Sequence, residues 1–215
     1  MIAELSRQSL AAARDVPSYR VEFDVRANRH HCVVIPVINE GPRLHRLLDR
    51  MTALSVSAFA DVIIVDGGST DGSVDEHELR DRGVRALLVK TGPGKLSAQL
   101  RCAYAFALDC GYEGIITIDG NDKDDPVSIG KFASALEEGF DFVQASRFVS
   151  GGVAENTPLV RTLAIKVLHA PLLSLASGFK WTDTTQGFRA YSRRLLADPR
   201  VSPFRDVFRD YELLA

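Results

Sequence analysis

The chain has little with which to cross-link itself. It carries three cysteines, Cys32, Cys102 and Cys110, in 215 residues. An odd count without Cys-x-x-Cys spacing argues against a disulfide framework or a zinc site, and for a reducing compartment. There is no excess of positive charge. Lys and Arg number 26 against 28 Asp and Glu, a net −2, so nucleic acid is not the default partner. No stretch reaches the roughly 18 uncharged apolar residues of a membrane span. The nearest, from Ala170 to Phe179, is too short. Glu4 and Arg7 interrupt the N-terminus before any apolar core of signal-peptide length. The five histidines include no His-Glu-x-x-His pair, and no internal repeat or low-complexity tract occurs. What is there is 46% hydrophobic and 25% charged, long enough for one large α/β domain with a sizeable core.

Three apolar runs each end in a carboxylate: Val33 to Glu40, Val62 to Asp66, and Gly114 to Asp119. They are short and β-branched, as strands buried on both faces of a parallel sheet should be. Between them lie helical patterns. One follows Pro42 with Leu44, Leu47, Leu48 and Met51 on one face; one is capped by Thr70-Asp71 and runs to about Asp81; others span Ser97 to Cys110 and Pro126 to Glu138. Ala86 to Lys90 and Asp141 to Phe148 read as further strands. This βαβ alternation predicts a Rossmann-like, doubly wound, mostly parallel sheet with flanking helices. Residues 1–30 form a separate arm, with a short helix over Ile2 to Ala13 and an edge strand over Val21 to Val25. The domain proper is 31–215. Between Leu159 and Ser177 the only ionisable residues are Arg161, Lys166 and His169. Periodicity favours a buried helix kinked at Pro171, over a helix lying on a bilayer.

Ligands of open α/β sheets bind outside the carboxyl ends of the strands, so Glu40, Asp66 and Asp119 should converge on one site. Carboxylates there suit a ribose or base, or a divalent cation held against a phosphate. That combination points to a nucleotide or nucleotide-sugar. Asp66-Gly67-Gly68-Ser69 is a glycine-rich strand-to-helix turn that admits close backbone approach. Asp119 to Asp125 holds four carboxylates in seven residues, which repel unless a cation or a basic group compensates. Trp181 can stack on a sugar, although anchoring in the core is the plainer role.

Taken together, Pro36-Val37-Ile38-Asn39-Glu40, Asp66 to Asp71, Gly94-Lys95, Asp119-Gly120-Asn121, Ser146-Arg147-Phe148 with Gly151-Gly152, and Asp183 with Gly187-Phe188-Arg189 resemble family 2 glycosyltransferases of the GT-A fold. Within that family the chain is most similar to dolichyl- and polyprenyl-phosphate sugar synthases. The resemblance implies an inverting enzyme that moves a sugar from a nucleotide-diphosphate sugar to a lipid phosphate. It implies a donor pocket of Pro36, Glu40, Asp66, Gly67, Lys95, Asp119 and Lys123. Arg147 and Arg161 would contact the acceptor phosphate, and the segment ending at Arg189 would close the site. A peripheral position on the cytoplasmic face of a membrane follows, as does a role in building the cell envelope. Nothing in the resemblance sets an oligomeric state.

The departures are informative. The usual Asp-x-Asp reads Asp119-Gly120-Asn121, and Lys123 stands where relatives often place a glutamine ligand. A protonated lysine cannot ligate a metal. A Mg²⁺ or Mn²⁺ ion would therefore use Asp119 with Asn121 and Asp122, or shift toward Asp119 with Asp122 or Asp124; otherwise Lys123 supplies part of the positive charge itself. Relatives normally continue beyond residue 215, so a C-terminal portion is expected to be missing. Two alternatives stand beside this reading. A sugar or protein hydroxyl acceptor would require a carboxylate base, with Glu212 or Asp210 the best placed and Asp183 less so. A nucleotide-binding module without turnover would explain the altered Asp-x-Asp.

Overall fold

The computed structural model describes residues 14–25, 29–149, 152, 162–201 and 203–205. Its strands are β1 (Tyr19–Asp24), β2 (His31–Val37), β3 (Ala60–Asp66), β4 (Val84–Lys90), β5 (Gly114–Thr117), β6 (Phe142–Gln144) and β7 (Arg189–Ser192). They form one sheet in the order β1-β4-β3-β2-β5-β7-β6. The four central strands, β4-β3-β2-β5, are parallel. β1 adds antiparallel to one edge, and β7 runs antiparallel between β5 and β6. Every residue of β2 is buried, which is why its sequence is a continuous apolar run with no alternation.

Helices cover both faces: α1 (Pro42–Ala53), α2 (Glu76–Asp81), α3 (Leu96–Asp109), α4 (Ser128–Glu137), α5 (Ala170–Ser177) and α6 (Arg193–Ala197). The pleat sends Val33, Ile35 and Val37 to one core with Leu44, Leu47, Leu48 and Met51 of α1 and Ile129 and Phe132 of α4. It sends Cys32 and Val34 to the other core, with Leu100, Tyr104 and Leu108 of α3. The apolar spacing after Pro42 thus lands where its period requires.

Several expectations need correction. The helix foreseen from Thr70-Asp71 begins later, capped by Asp75, whose carboxylate accepts from Glu78 N at 3.0 Å. The strand foreseen over Asp141 to Phe148 keeps only Phe142–Gln144, because the chain beyond turns toward Asp183. The apolar stretch before Ser177 is not a core helix. A π-helical turn over Ala164–His169 runs directly into α5, Pro171 sits at that junction in the first turn of α5, and only Ile165 and Ala170 are buried. The foreseen helix over Ile2 to Ala13, and Gly151, Arg161, Asp210 and Glu212, lie outside the described residues.

The strand order reverses direction between β2 and β5: β3 and β4 follow to one side of β2, β5 to the other. A crevice must open there at the carboxyl ends of both strands.

Candidate active site

The crevice is a cavity of about 500 Å³ lined by Pro36, Val37, Ile38 and Glu40 after β2, Gly67 after β3, Lys90, Gly94 and Lys95 after β4, Leu96 and Gln99 of α3, and Asp119, Gly120 and Asn121 after β5. Of the residues expected at the donor pocket, Pro36, Glu40, Gly67, Lys95 and Asp119 line it, whereas Asp66 and Lys123 do not; Lys123 is exposed and reaches the site through its charge on Asp119. Lys90 and Gln99 line it too and were not foreseen.

Local chemistry explains the loop shapes. Asn39 takes a left-handed backbone (φ 53°), which asparagine tolerates better than most residues, and its side-chain oxygen accepts from Thr70 N at 2.8 Å. Asn39 N in turn donates to Ser69 Oγ at 2.9 Å, and Gly41 N to Asp71 Oδ2 at 2.9 Å. The β2 and β3 loops are therefore tied to each other. Gly120 packs closely, since a Cβ there would stand 3.2 Å from Val37 Cγ2 and 3.3 Å from Pro36 O and would push these neighbours back. Gln99 spans the ends of two strands, its amide donating to Val37 O and Val65 O at 2.9 Å each.

Asp66 is placed differently from the expectation. Its oxygens accept from Gly68 N at 3.0 Å and from Ser69 N and Ser69 Oγ at 2.9 and 2.6 Å. It is buried and does not line the cavity. Asp66 shapes the turn that presents Gly67, as a short polar side chain does when it bonds its own backbone two and three residues on.

The acidic loop divides its carboxylates. Asp122, expected among the metal ligands, is paired with Arg50 and Arg46 of α1 at 2.9 and 3.3 Å. Arg50 also holds Asp125 at 2.8 Å. Asn121 lines the cavity, but its side-chain oxygen accepts from Lys123 N at 3.1 Å. Asp119 and Asp124 face the other way electrostatically. Burial raises the pKa of Asp119, while the charges of Lys123 and Arg189 pull it back. Burial and then the charge of Asp119 push Asp124 up to about 6, against a 3.0 Å hydrogen bond from Gln186 Nε2. Two half-buried carboxylates, one of which raises the other's cost of ionisation, are a pair a cation would relieve. Mg²⁺ is commonly held by one or two carboxylates plus substrate phosphates and water. Asp119 lines the cavity, and Asp124 lies close enough to feel its charge; among the described residues no cluster of three or more His, Cys, Asp or Glu could hold a metal.

The basic residues are also sorted. Arg147 grips Asp183 through Nε at 2.8 Å and Nη2 at 3.0 Å, with Thr185 Oγ1 at 2.6 Å from Nη2. Burial disfavours the Asp183 charge, but the guanidinium and the Thr185 and Arg147 backbone N–H groups outweigh it and hold the carboxyl below the usual range. Arg147 remains near enough for the Asp124 charge to raise its pKa. Arg189 is buried; its Nε donates to Gln186 O at 2.8 Å, and it acts on Asp119 through its charge from inside the fold. Gln186 thereby joins Asp124 to the β7 approach. Nothing but its place beside Gly187-Phe188-Arg189 marks it in the sequence.

Comparison with known proteins gives the family and the fold. Residues 32–198 match the model of the family described as glycosyl transferase family 2. Polyprenol monophosphomannose synthase of Mycolicibacterium smegmatis is 28% identical over 80% of this chain and 65% of its own length. Undecaprenyl-phosphate mannosyltransferase of Micrococcus luteus is 29% identical over 74% of this chain and 64% of its own. The chain thus spans slightly under two thirds of these two relatives. Glucosyl-3-phosphoglycerate synthase of Mycobacterium tuberculosis, solved with Mn²⁺, UDP and phosphoglyceric acid, superposes with a TM-score of 0.56 at 22% identity, over 88% of this chain and 60% of that one. The fold is GT-A, and the chain belongs to glycosyl transferase family 2.

Proposed function

We propose that residues 31–215 are the GT-A part of an inverting glycosyltransferase that moves a sugar from a nucleotide-diphosphate sugar to a polyprenyl phosphate, with residues 1–30 as an arm that lends the sheet its edge strand β1. The observation that carries the donor half is the cavity at the strand-order reversal, where Lys90 and Lys95 and the first turn of α3 face Asp119 and Asn121. A diphosphate there meets two ammonium groups and the positive end of a helix. The acceptor half is supported by the printed functions of the relatives, a polyprenol monophosphomannose synthase and an undecaprenyl-phosphate mannosyltransferase.

In this mechanism the sugar's anomeric carbon develops oxocarbenium character as the diphosphate departs. Lys95, Lys90 and Lys123 offset charge on the leaving group. A divalent ion, Mg²⁺ or Mn²⁺, would be held by Asp119 and Asp124 and would supply further neutralisation of the diphosphate. Gln186 holds Asp124 by its hydrogen bond, and the charge of buried Arg189 favours ionised Asp119. A lipid phosphate is already anionic near neutral pH, so it needs alignment more than deprotonation. Arg147 is the described candidate for that alignment; Arg161, the second candidate, lies outside the described residues. Asp183 fixes the guanidinium and leaves Nη1 for the acceptor.

The membrane enters as the source of the acceptor. Among the described residues no helix is long and apolar enough to cross a bilayer. We place this part of the protein at the cytoplasmic surface of a membrane. The testing experiment is a screen of nucleotide-diphosphate sugars with polyprenyl phosphate, following lipid-linked product. Release of sugar into water alone, with every donor, would count against the acceptor.

A further inference from the structure

The helical segment ending at Ser177 turns its apolar side chains outward. Leu163, Val167, Leu168, Leu172 and Leu175 are exposed, as is Phe179 just past Gly178. Leu175 is 83% exposed, close to a free side chain, so the neighbouring protein does not cover this face. The steps from 163 to 167, 168 to 172, 172 to 175 and 175 to 179 are three or four residues. Leu163 and Val167 fall on one line and Leu168, Leu172 and Leu175 on another, giving a broad apolar face, and Phe179 follows Gly178, whose left-handed backbone (φ 68°) ends the helix. Contiguous apolar surface of this kind marks an interaction site on a folded protein.

Charge selects the partner. No Asp or Glu stands between Glu155 and Asp183, and Asp183 is consumed by Arg147. The ionisable residues described in that interval are Lys166, His169 and Lys180, all exposed. Lys166 and Lys180 line a cleft of about 330 Å³ with Phe148, Ser174, Trp181 and Thr182. The Lys166 ammonium lies 4.7 Å from the Phe148 ring centroid. Trp181 stands between Phe142 and Phe179, its indole N–H donating to Ser177 Oγ at 2.9 Å. Apolar face, basic rim and a tryptophan at its end are the elements of an interfacial helix. A second copy is a poor occupant. A two-fold interface sets the same patch against itself, and this patch has cations with no carboxylate to meet them.

We propose that this face docks on an anionic bilayer, with the leucine stripe at the headgroup–acyl boundary and Lys166 and Lys180 against lipid phosphates. The surface adjoins the acceptor side of the site, since Phe148 follows Arg147. Its purpose rests on the proposed lipid-phosphate acceptor, but its binding does not.

The test uses vesicles of phosphatidylcholine alone and of equal parts phosphatidylcholine and phosphatidylglycerol, both free of prenyl phosphate. The chain has one tryptophan, so Trp181 emission reports docking alongside co-sedimentation. The protein should pellet with the anionic vesicles, blue-shift its emission, and release at high salt. L172E/L175E and K166E/K180E should each weaken vesicle binding at least tenfold while keeping the affinity for UDP or GDP, which shows that the fold survives. The proposal is overturned if the protein stays in solution with both vesicles, or if K166E/K180E, folded by the nucleotide criterion, pellets like the parent. It is also overturned if sedimentation velocity reveals a dimer that L172E/L175E breaks while vesicles go unbound. Vesicle binding without sugar transfer to prenyl phosphate would defeat the acceptor reading and leave this surface standing.

Discussion

Replacing Arg147 with alanine should damage the fold before it damages acceptor binding. Asp183 has no exposed side-chain area, and Arg147 is 18% exposed. The pair is joined by two charge-assisted bonds of 2.8 and 3.0 Å. Removing the guanidinium leaves a buried carboxylate without its counter-charge, a loss of about 3–5 kcal/mol. For a domain of this size that lowers Tm by roughly 6–20 °C. The pH dependence has a definite sign. Asp183 has a depressed pKa in the folded protein, so the pair stabilises above the ordinary carboxylate value and is lost as pH falls through the folded one. The gap between parent and R147A should therefore be full near neutrality and narrow below roughly pH 4. R147A/D183N should recover part of the loss, because the uncompensated charge is gone. Urea unfolding at several pH values measures all of this. R147A within about 0.5 kcal/mol of the parent at pH 7, the usual range of a neutral surface change, would refute the reasoning. Any rise in KM for polyprenyl phosphate should accordingly be read in R147K, which keeps the charge while losing the two-pronged grip.

Other outcomes follow from the same geometry. Asp119→Ala should abolish transfer, while Lys123→Gln should leave activity but make it more dependent on added Mg²⁺ or Mn²⁺; a metal titration unchanged by K123Q would make Lys123 a solvated loop residue. Gln186→Ala removes the bond that lowers Asp124, so that carboxyl should titrate above about 6 in the metal-free protein, followed by carbon NMR. Gln99→Leu deletes two buried bonds to Val37 O and Val65 O, a cost of about 1–3 kcal/mol with weakened nucleotide binding; equal affinity for UDP and GDP would separate Gln99 from the cavity. Asp66→Asn should loosen the Gly67 turn and weaken nucleotide binding modestly, without unfolding the protein, as calorimetry would register.

The central sheet was legible because β2, β3 and β5 are buried on both faces, and burial of that kind writes itself as unbroken apolar sequence. The order of strands was not, since the antiparallel insertion of β7 beside β5 depends on packing across 70 residues or more, as the Gly114–Ser192 pairing illustrates. Strand-end position located Glu40 and Asp119 but could not tell a side chain that points into the crevice from one, like Asp66, that folds back on its own turn. Nor could spacing tell which acids of the Asp119 to Asp125 loop face inward. That is decided by Arg46 and Arg50, far away in sequence, which draw off Asp122 and leave Asp124 to Gln186. The apolar content before Ser177 was plain, but hydrophobicity does not distinguish a core from a bilayer. Only the outward-facing leucines separate the two.

The most direct measurement is transfer of a radiolabelled sugar from a panel of UDP- and GDP-sugars to polyprenyl phosphate in detergent, with the anomeric configuration of the product read by NMR. The account predicts a lipid-linked glycosyl phosphate of inverted configuration from at least one donor, lost in Asp119→Ala. A retained configuration, or transfer only to a soluble hydroxyl acceptor, would contradict it.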